Sequence, residues 1–149
     1  MDEAELARLL GLAETLCHRR GQRLTAQRRR VLEILCRSER PMGAYEILDL
    51  LPGAKGRSAP PTVYRALDFL LEQGLIHRIE TLHAFIGCDH PDARHSCQFL
   101  ICDRCGTVAA LEDSEITSSL SRAAQRQGFA PARRVVELIG TCSACAKDC

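Results

Sequence analysis

The sequence predicts an α+β protein, with an N-terminal winged helix-turn-helix domain and a small C-terminal α/β domain. Four amphipathic helical segments and a hairpin pattern occupy the first 88 residues, in the order found in a winged helix-turn-helix. From residue 97 the pattern becomes strand, strand, helix, strand, and two C-x-x-C pairs lie in this part of the chain. We therefore predict a first domain over 1–88, a hinge at about 89–96 and a second domain over 97–149.

Each of the four predicted helices has apolar residues at helical spacing and a definable start or end. The first spans 2–19, and Gly21 ends it. Thr25 is the expected N-cap of the second helix. The third spans about 44–51. The fourth starts at 60–62, where proline is tolerated because a first-turn N–H has no acceptor within the helix.

The fourth helix ends at Gly74 and leads into two short segments, 75–80 and 84–88, that we expect to pair as a hairpin. In a winged helix-turn-helix, a helix in this position enters the major groove of DNA and the hairpin forms the wing. Element order therefore makes DNA binding the first functional hypothesis.

Basic residues concentrate in the first domain, although the formal net charge of the chain is only +1. Residues 1–78 contain 13 Lys and Arg against 10 Asp and Glu, whereas residues 79–149 contain 7 against 9. A basic run is often only a solvated surface, but beside a helix-turn-helix it favours binding to nucleic acid. The run contains six arginines: Arg19, Arg20, Arg23, Arg28, Arg29 and Arg30.

Composition argues against a membrane protein and for a reducing compartment. No run approaches the roughly 18 apolar residues of a membrane span, and the acidic start Met1-Asp2-Glu3 is unlike a signal peptide. Nine cysteines in such a chain favour metal binding over disulfides. The expected location is the cytoplasm. Because Trp is absent and aromatic residues are only 4%, aliphatic side chains are expected to fill the core.

The two C-x-x-C pairs are Cys102 with Cys105 and Cys142 with Cys145. Two intervening residues let both thiolates of a pair reach one ion from a tight turn, and Gly106 supplies the backbone freedom that such a turn needs. Four thiolates in a closed tetrahedral set suit a structural Zn²⁺, whose binding energy would contribute to folding. Disulfides or redox pairs are the alternative, and the lack of a secretion signal favours zinc.

Several motifs together resemble the Fur family of metal-responsive repressors. They are Pro61-Thr62-Val63-Tyr64-Arg65-Ala66-Leu67, the following Gly74-Leu75-Ile76, and the two cysteine pairs. The match covers about residues 20–146, in the family's order and spacing. The resemblance implies a homodimer whose subunits each have an N-terminal winged helix and a C-terminal α/β dimerisation domain. It further implies that metal at a regulatory site between the domains favours binding to an A/T-rich inverted-repeat operator.

The resemblance also implies three ligands of the regulatory site, His77, Cys88 and His95. A lone histidine is usually a solvated or structural side chain, but three candidates at the family's positions favour ligation. One thiolate with two imidazoles suits borderline-soft Zn²⁺, whereas a site for Fe²⁺ or Mn²⁺ would use mainly N and O ligands. We therefore predict a zinc sensor with two Zn²⁺ per subunit, one structural and one regulatory.

At the fourth regulatory ligand the chain departs from the family. The family usually has Glu five residues after the second cysteine of the first pair, and Ala110 stands there in this sequence. Glu112 would share the face of Ala110 on a strand, so Glu112 is the preferred candidate. Water, Asp113 and Cys97 remain alternatives.

The resemblance places Tyr64 and Arg65 on the exposed face of the fourth helix, where they would meet DNA. Arginine suits bidentate contact with guanine, which is worth about 1–3 kcal/mol of discrimination. Tyr64 can pack on a thymine methyl group or a sugar, and Thr62 with the first-turn amides can hold a phosphate. Tyr45 is a further DNA-binding candidate, although it would serve equally to cover the third helix. Other candidate backbone contacts are Arg23, Arg28 and Lys55.

Three other functions share parts of this pattern. A zinc enzyme needs an open metal position beside a general base, often within H-E-x-x-H, and that motif is absent, so we expect no enzyme. A thiol redox switch would use the C-x-x-C pairs. The nearest alternative is a Fur-family repressor sensing iron, manganese or peroxide, and Cys88 argues against it. The preferred hypothesis is a zinc-responsive repressor of zinc uptake genes that binds operator DNA as a zinc-loaded dimer, with no membrane and no small-molecule substrate.

Overall fold

The chain divides into two compact units, Met1–Ala93 and Arg94–Cys149. The computed structural model describes residues 1–52, 60–92 and 96–147. His95, Lys55 and most of the loop before the fourth helix lie outside the described residues. Among the described residues, no helix combines the length and the apolar character needed to cross a membrane.

The described residues of the first unit form four helices and a hairpin, as the sequence predicts. The helices and strands are α1 (Glu3–Arg19), α2 (Ala26–Arg37), α3 (Ala44–Leu50), α4 (Pro60–Glu72), β1 (Ile76–Ile79) and β2 (Ala84–Gly87). Each boundary that the sequence predicts lies within one or two residues of the observed one.

Local chemistry explains where these helices begin and end. The Thr25 side chain accepts a hydrogen bond from the Arg28 backbone N–H at 3.3 Å, which is the predicted N-cap of α2. A Glu46 carboxylate oxygen accepts from the Gly43 N–H at 2.9 Å and so caps α3. Gly21 and Gly74 adopt positive φ angles of 67° and 68° just after α1 and α4, which glycine adopts without a Cβ penalty.

The core of the first unit is aliphatic, in agreement with the composition. Leu32, Leu35, Ile47, Leu67 and Leu70 are all at most 2% exposed and belong to one cluster formed by the helices and the hairpin. Burial of such side chains is worth about 1.5–3 kcal/mol each, so this cluster dominates the stability of the unit. The cluster also includes Cys17 and Cys36.

The wing carries an isolated backbone bridge that the sequence does not predict. β1 and β2 pair antiparallel, with His77 opposite Ile86. Met42 then forms an isolated antiparallel bridge to Phe85, with N···O distances of 2.9 and 2.8 Å in the two directions. A single bridging residue leaves no alternating pattern in the sequence, which explains why it was missed.

The second unit is a three-stranded sheet with two helices. Its elements are β3 (Cys97–Cys102), β4 (Val108–Glu112), α5 (Ser114–Arg126), β5 (Glu137–Gly140) and α6 (Ser143–Lys147). The sheet order is β4-β3-β5, with β3 antiparallel to β4 and parallel to β5. The sequence predicts every element except α6, which is only five residues long and has no apolar stripe.

Candidate metal centre and nucleic-acid interface

The first cysteine pair lies on a tight turn between β3 and β4. Cys102 is the last residue of β3. Its N–H donates to the Thr107 carbonyl at 2.9 Å, and its carbonyl accepts from the Gly106 N–H at 3.0 Å. Gly106 has a φ of 75°, so the backbone freedom predicted for this position is used. The parallel neighbour β5 leads directly to Cys142, and the Asp103 N–H donates to the Gly140 carbonyl at 2.9 Å. The sheet therefore brings the two pairs together.

The four sulfur atoms of the pairs form one compact cluster. Cys102, Cys105, Cys142 and Cys145 have Sγ atoms all within 4.8 Å of one another, and they are the one group of three or more metal-ligating side chains found among the described residues. Cys105 Sγ and Cys142 Sγ are 3.8 Å apart. Sulfurs at about 2.3 Å from a tetrahedral Zn²⁺ would be about 3.8 Å from each other, so the donor set fits zinc.

Backbone amides and neighbouring thiols set the protonation of this cluster. N–H groups, chiefly that of Cys142, lower the pKa of Cys102 to about 6 because they stabilise its thiolate. The Thr107 hydroxyl, whose Oγ1 lies 3.1 Å from Cys105 Sγ, lowers the pKa of that thiol. Conversely, the adjacent sulfurs of Cys142 and Cys105 raise the pKa of Cys145 to about 12. The Cys102 thiolate is thus favoured before metal binds, whereas ionisation of Cys145 is disfavoured.

Two candidate regulatory ligands lie on the wing of the first unit. His77 is on β1 opposite Ile86, and Cys88 lies two residues beyond Ile86. Side chains related in this way share one face of a hairpin at about 7–8 Å, within reach of a common ion. Cys88 is only 2% exposed, and its N–H donates to the Leu75 carbonyl at 3.0 Å. Both candidates therefore belong to the wing, two positions apart in register.

The other regulatory candidates belong to the second unit. Glu112 is exposed at the end of β4, where it pairs in register with Cys97 on β3. Ala110 pairs with Phe99 one step along the same face, which agrees with the predicted side-chain alternation of Ala110 and Glu112. Asp113 caps α5 by accepting from the Glu115 N–H at 2.8 Å, which gives this alternative ligand a structural role. His95 lies outside the described residues.

The predicted DNA-binding side chains lie on the exposed surface of α3 and α4. Tyr45 is 66% exposed and Tyr64 is 45% exposed, although large aromatic side chains are normally buried. They line one shallow hollow between the two helices. Arg65 is also exposed and Thr62 is half-buried in the first turn of α4. The apolar residues Val63, Leu67 and Leu70 on the opposite face are buried. The face of α4 that carries Tyr64 and Arg65 is therefore exposed, as predicted.

The basic cluster is engaged within the protein to a greater extent than the sequence indicates. Arg29 pairs with Glu14, and Arg30 pairs with Glu33 at 2.9 Å. Arg20 and Arg28 contact α4 instead. Arg30 and Glu33 are three residues apart on α2, but the other partners are on different elements, so a charge count does not reveal them.

Comparison with known proteins defines the class. The model of the ferric uptake regulator family matches residues 19–139, most of the chain. The chain therefore belongs to the ferric uptake regulator family, whose members are transcription regulators and not enzymes.

Within this family the chain is most usefully compared with zinc uptake regulators. It is 40% identical to the zinc uptake regulation protein of Escherichia coli K12 over 148 residues, covering 97% of this chain and 85% of that protein. The Mycobacterium tuberculosis H37Rv protein of the same name is 29% identical over 127 residues, or 84% and 95% of the two chains. The structure of a zinc uptake regulator complexed with zinc and DNA matches with a TM-score of 0.90 at 40% identity, covering 96% of both chains. Holo XcZur matches with a TM-score of 0.84 at 43% identity, covering 93% of this chain and 96% of that one.

Proposed function

We propose that this protein is a zinc-responsive transcriptional repressor of zinc uptake genes, which binds an A/T-rich inverted-repeat operator as a zinc-loaded dimer. The observation that carries the proposal is the match along almost the whole chain to a zinc uptake regulator complexed with zinc and DNA. The chemistry of the residues agrees, since a Cys₄ cluster suited to zinc accompanies an exposed DNA-reading helix. A repressor of this kind acts in the cytoplasm, where its operator is.

The Cys₄ cluster is the proposed structural zinc site. Its four residues come from the β3–β4 turn and from the start of α6, forty positions apart, so the bound ion would join both ends of the second unit. A unit this small, with no fully buried residue in α5, has little core of its own. Zinc binding energy would therefore contribute directly to its folding.

Apolar surface on the second unit supports the proposed homodimer. Leu138 and Ile139 on β5 are 56% and 58% exposed, and Leu100 on β3 is 40% exposed. β5 lies at one edge of the sheet, so its outer edge can accept another strand. A second copy of this chain would cover these side chains and extend the sheet.

The regulatory zinc is proposed to bind His77, Cys88, His95 and Glu112, which makes two Zn²⁺ per subunit. Support comes from the shared hairpin face of His77 and Cys88 and from the register of Glu112 with Cys97. A thiolate with imidazole and carboxylate donors suits Zn²⁺ better than Fe²⁺ or Mn²⁺. Since the first two ligands belong to one domain and the last two to the other, their joint coordination would restrict the hinge predicted at 89–96. Restriction of the hinge would favour one spacing of the two DNA-binding domains of a dimer.

The proposed reading of the operator follows from the exposed side chains of α4. Arg65 would donate two hydrogen bonds to a guanine edge, while Tyr64 would contact a base methyl group or a sugar. Thr62 and Tyr45 would contact the DNA backbone and fix the register of the helix.

Titration of operator binding with one metal at a time tests the function. We expect Zn²⁺ to support binding of the purified protein to its operator at lower free concentration than Fe²⁺ or Mn²⁺. Cys88→Ala should abolish this zinc dependence while leaving a folded dimer, and Cys102→Ala should unfold the second unit. If Fe²⁺ or Mn²⁺ were the better activator, the alternative of a family member sensing another metal would replace the proposal. Zinc content by mass spectrometry should be two per wild-type subunit and one per Cys88→Ala subunit.

A further inference from the structure

Arg20 and Arg28 both contact α4, on the stripe of the helix that carries Arg65. The Arg28 guanidinium carbon lies 3.7 Å from the centroid of the Phe69 ring. Arg20 Nη1 donates to the Gln73 carbonyl at 2.7 Å and lies 3.3 Å from the Gln73 side-chain oxygen. Arg65 and Phe69 are four residues apart and therefore neighbours along the helix, and Gln73 follows at the same spacing just beyond its last residue.

Two contacts of the Arg28 guanidinium restrain the position of Phe69, and so of α4, relative to the α1–α2 connection. Its Nη1 atom also donates to the Arg23 carbonyl at 2.7 Å, so the guanidinium joins the α1–α2 connection to the ring of Phe69. Phe69 is only 7% exposed and belongs to the core cluster. A planar guanidinium over an aromatic face is favourable and directional, which a lysine ammonium cannot reproduce in the same geometry.

The Arg20 contact fixes the other end of the same stripe. Gln73 directly follows the last residue of α4, where a carbonyl has no N–H partner within the helix and carries the negative end of the helix dipole. A guanidinium is a suitable partner for such a carbonyl. Both arginines lie close to the buried Cys17 thiol: burial raises the pKa of that thiol, and the two arginines oppose the rise.

We infer that Arg20 and Arg28 are positioning residues for DNA reading: together they fix the rotation and the axial position of α4 and so aim Arg65 at its base. The sequence suggested instead that Arg28 neutralises a DNA phosphate. The inference rests on the proposed DNA binding, and the two roles predict different measurements.

Salt dependence separates the two roles. A phosphate contact contributes about 0.9 to the slope of log affinity against log salt, whatever the DNA sequence. A positioning residue leaves that slope unchanged but lowers the preference for operator over other DNA. Lysine keeps the charge and loses the stacking geometry, so Arg28→Lys should behave like wild type only if Arg28 binds phosphate.

The experiment uses the zinc-loaded full-length protein and two duplexes. One duplex carries the sequence that this protein enriches from a random DNA pool in the presence of zinc, and the other is a scrambled duplex of equal composition. Affinities are measured by fluorescence anisotropy at several salt concentrations for wild type, Arg28→Lys, Arg28→Met, Arg20→Met and the control Arg30→Met. Arg30 is on the same helix as Arg28 and pairs with Glu33 at 2.9 Å, so its replacement removes the same charge without touching α4.

We expect Arg28→Lys, Arg28→Met and Arg20→Met to reduce the operator-to-scrambled affinity ratio by about fivefold to 150-fold, the discrimination of one bidentate base contact. Their salt slopes on scrambled DNA should equal that of wild type, and Arg30→Met should keep the wild-type ratio. In an Arg65→Met background, Arg28→Met should cause no further loss of the ratio, because both changes remove the same contact. An unchanged ratio, or a slope lowered by about one in Arg28→Met with wild-type behaviour of Arg28→Lys, would overturn the inference.

Hydrogen exchange tests the contacts without DNA. Amides in the last turn of α4 should exchange faster in Arg20→Met and Arg28→Met than in Arg30→Met. Equal protection in all three would overturn the inference. If the wild-type protein enriched no zinc-dependent sequence, the proposed function would fail, and exchange would still decide whether these arginines hold α4.

Discussion

At the scale of single residues, the protonation of each thiol affects how the Cys₄ cluster would bind a metal ion. Four neutral thiols would have to release four protons to bind zinc. Here backbone N–H groups stabilise the Cys102 thiolate and lower its pKa to about 6, whereas neighbouring sulfurs raise the pKa of Cys145 to about 12. The negative charge of the Cys102 thiolate therefore favours cation binding before the metal arrives. Thiols that are still protonated lose their protons as the metal binds.

This protonation predicts the pH dependence of structural zinc binding. Because Cys102 is already a thiolate above pH 6, zinc binding at pH 7.5 should release fewer than four protons per site. As pH falls through about 6, protonation of Cys102 competes with the metal, so the apparent affinity should fall more steeply. Calorimetry in buffers of different ionisation enthalpy, on Cys88→Ala protein whose regulatory site is disabled, measures the proton count. Release of four protons would contradict the lowered pKa.

Gly87 is a position where space, and not backbone conformation, requires glycine. A Cβ at this residue would lie 2.9 Å from Cys36 Sγ and 3.4 Å from Cys36 Cα. Gly87→Ala should therefore destabilise the first unit by about 1–3 kcal/mol, the usual cost of overpacking. Urea unfolding measures the change, and Cys36→Ala combined with Gly87→Ala should recover part of the loss.

Gly11→Ala is the matched control for this substitution. Gly11 lies within α1, and a Cβ there meets no atom within 4 Å. The same change should raise stability by about 0.5–1 kcal/mol because alanine has the higher helix propensity. Equal effects at the two glycines would contradict the close approach of Cys36.

At the scale of elements, β5 links the proposed dimer interface to the proposed metal site. On one edge it pairs with β3 and delivers Cys142 to the cluster, and its other edge and its exposed side chains are available to a second copy. One strand of four residues thus serves the two features that stabilise a small unit.

Leu138→Asp should convert the dimer to a monomer at micromolar concentration. A carboxylate on this face would be desolvated without a partner in the dimer, which costs several kcal/mol. Sedimentation equilibrium measures the change. Leu82→Asp, at a 42% exposed leucine of the wing turn, is the control and should remain dimeric. A dimeric Leu138→Asp protein would place the interface elsewhere.

At the scale of the whole molecule, the proposed function couples zinc and operator through one conformational equilibrium. If regulatory zinc favours the arrangement that binds DNA, operator DNA must raise zinc affinity by the same factor, typically about 5–150-fold. We expect this rise when regulatory zinc affinity is measured by competition with a chelator, with and without saturating operator duplex. Scrambled duplex at the same concentration is the control. Equal affinities with operator and with scrambled DNA would exclude the coupling.

The amino-acid sequence by itself determined the features that local chemistry controls. Helical and strand periodicity predicted the main elements, Thr25 predicted a cap, and Gly21 and Gly74 predicted two helix ends. The spacing within each C-x-x-C pair predicted that its two thiols lie close together, because two residues between cysteines restrict the geometry whatever the surrounding fold.

Only the tertiary structure decided which residues of different elements contact each other. Arg20 and Gln73 are 53 positions apart, so no periodic pattern in the sequence predicts their contact. The sequence also cannot distinguish an arginine that contacts a helix from one that binds a DNA phosphate. The sequence did not predict the Met42–Phe85 bridge or the close approach of Gly87 to Cys36, for the same reason. Periodicity reports which face of an element is buried, whereas the partner of each side chain depends on how distant segments pack.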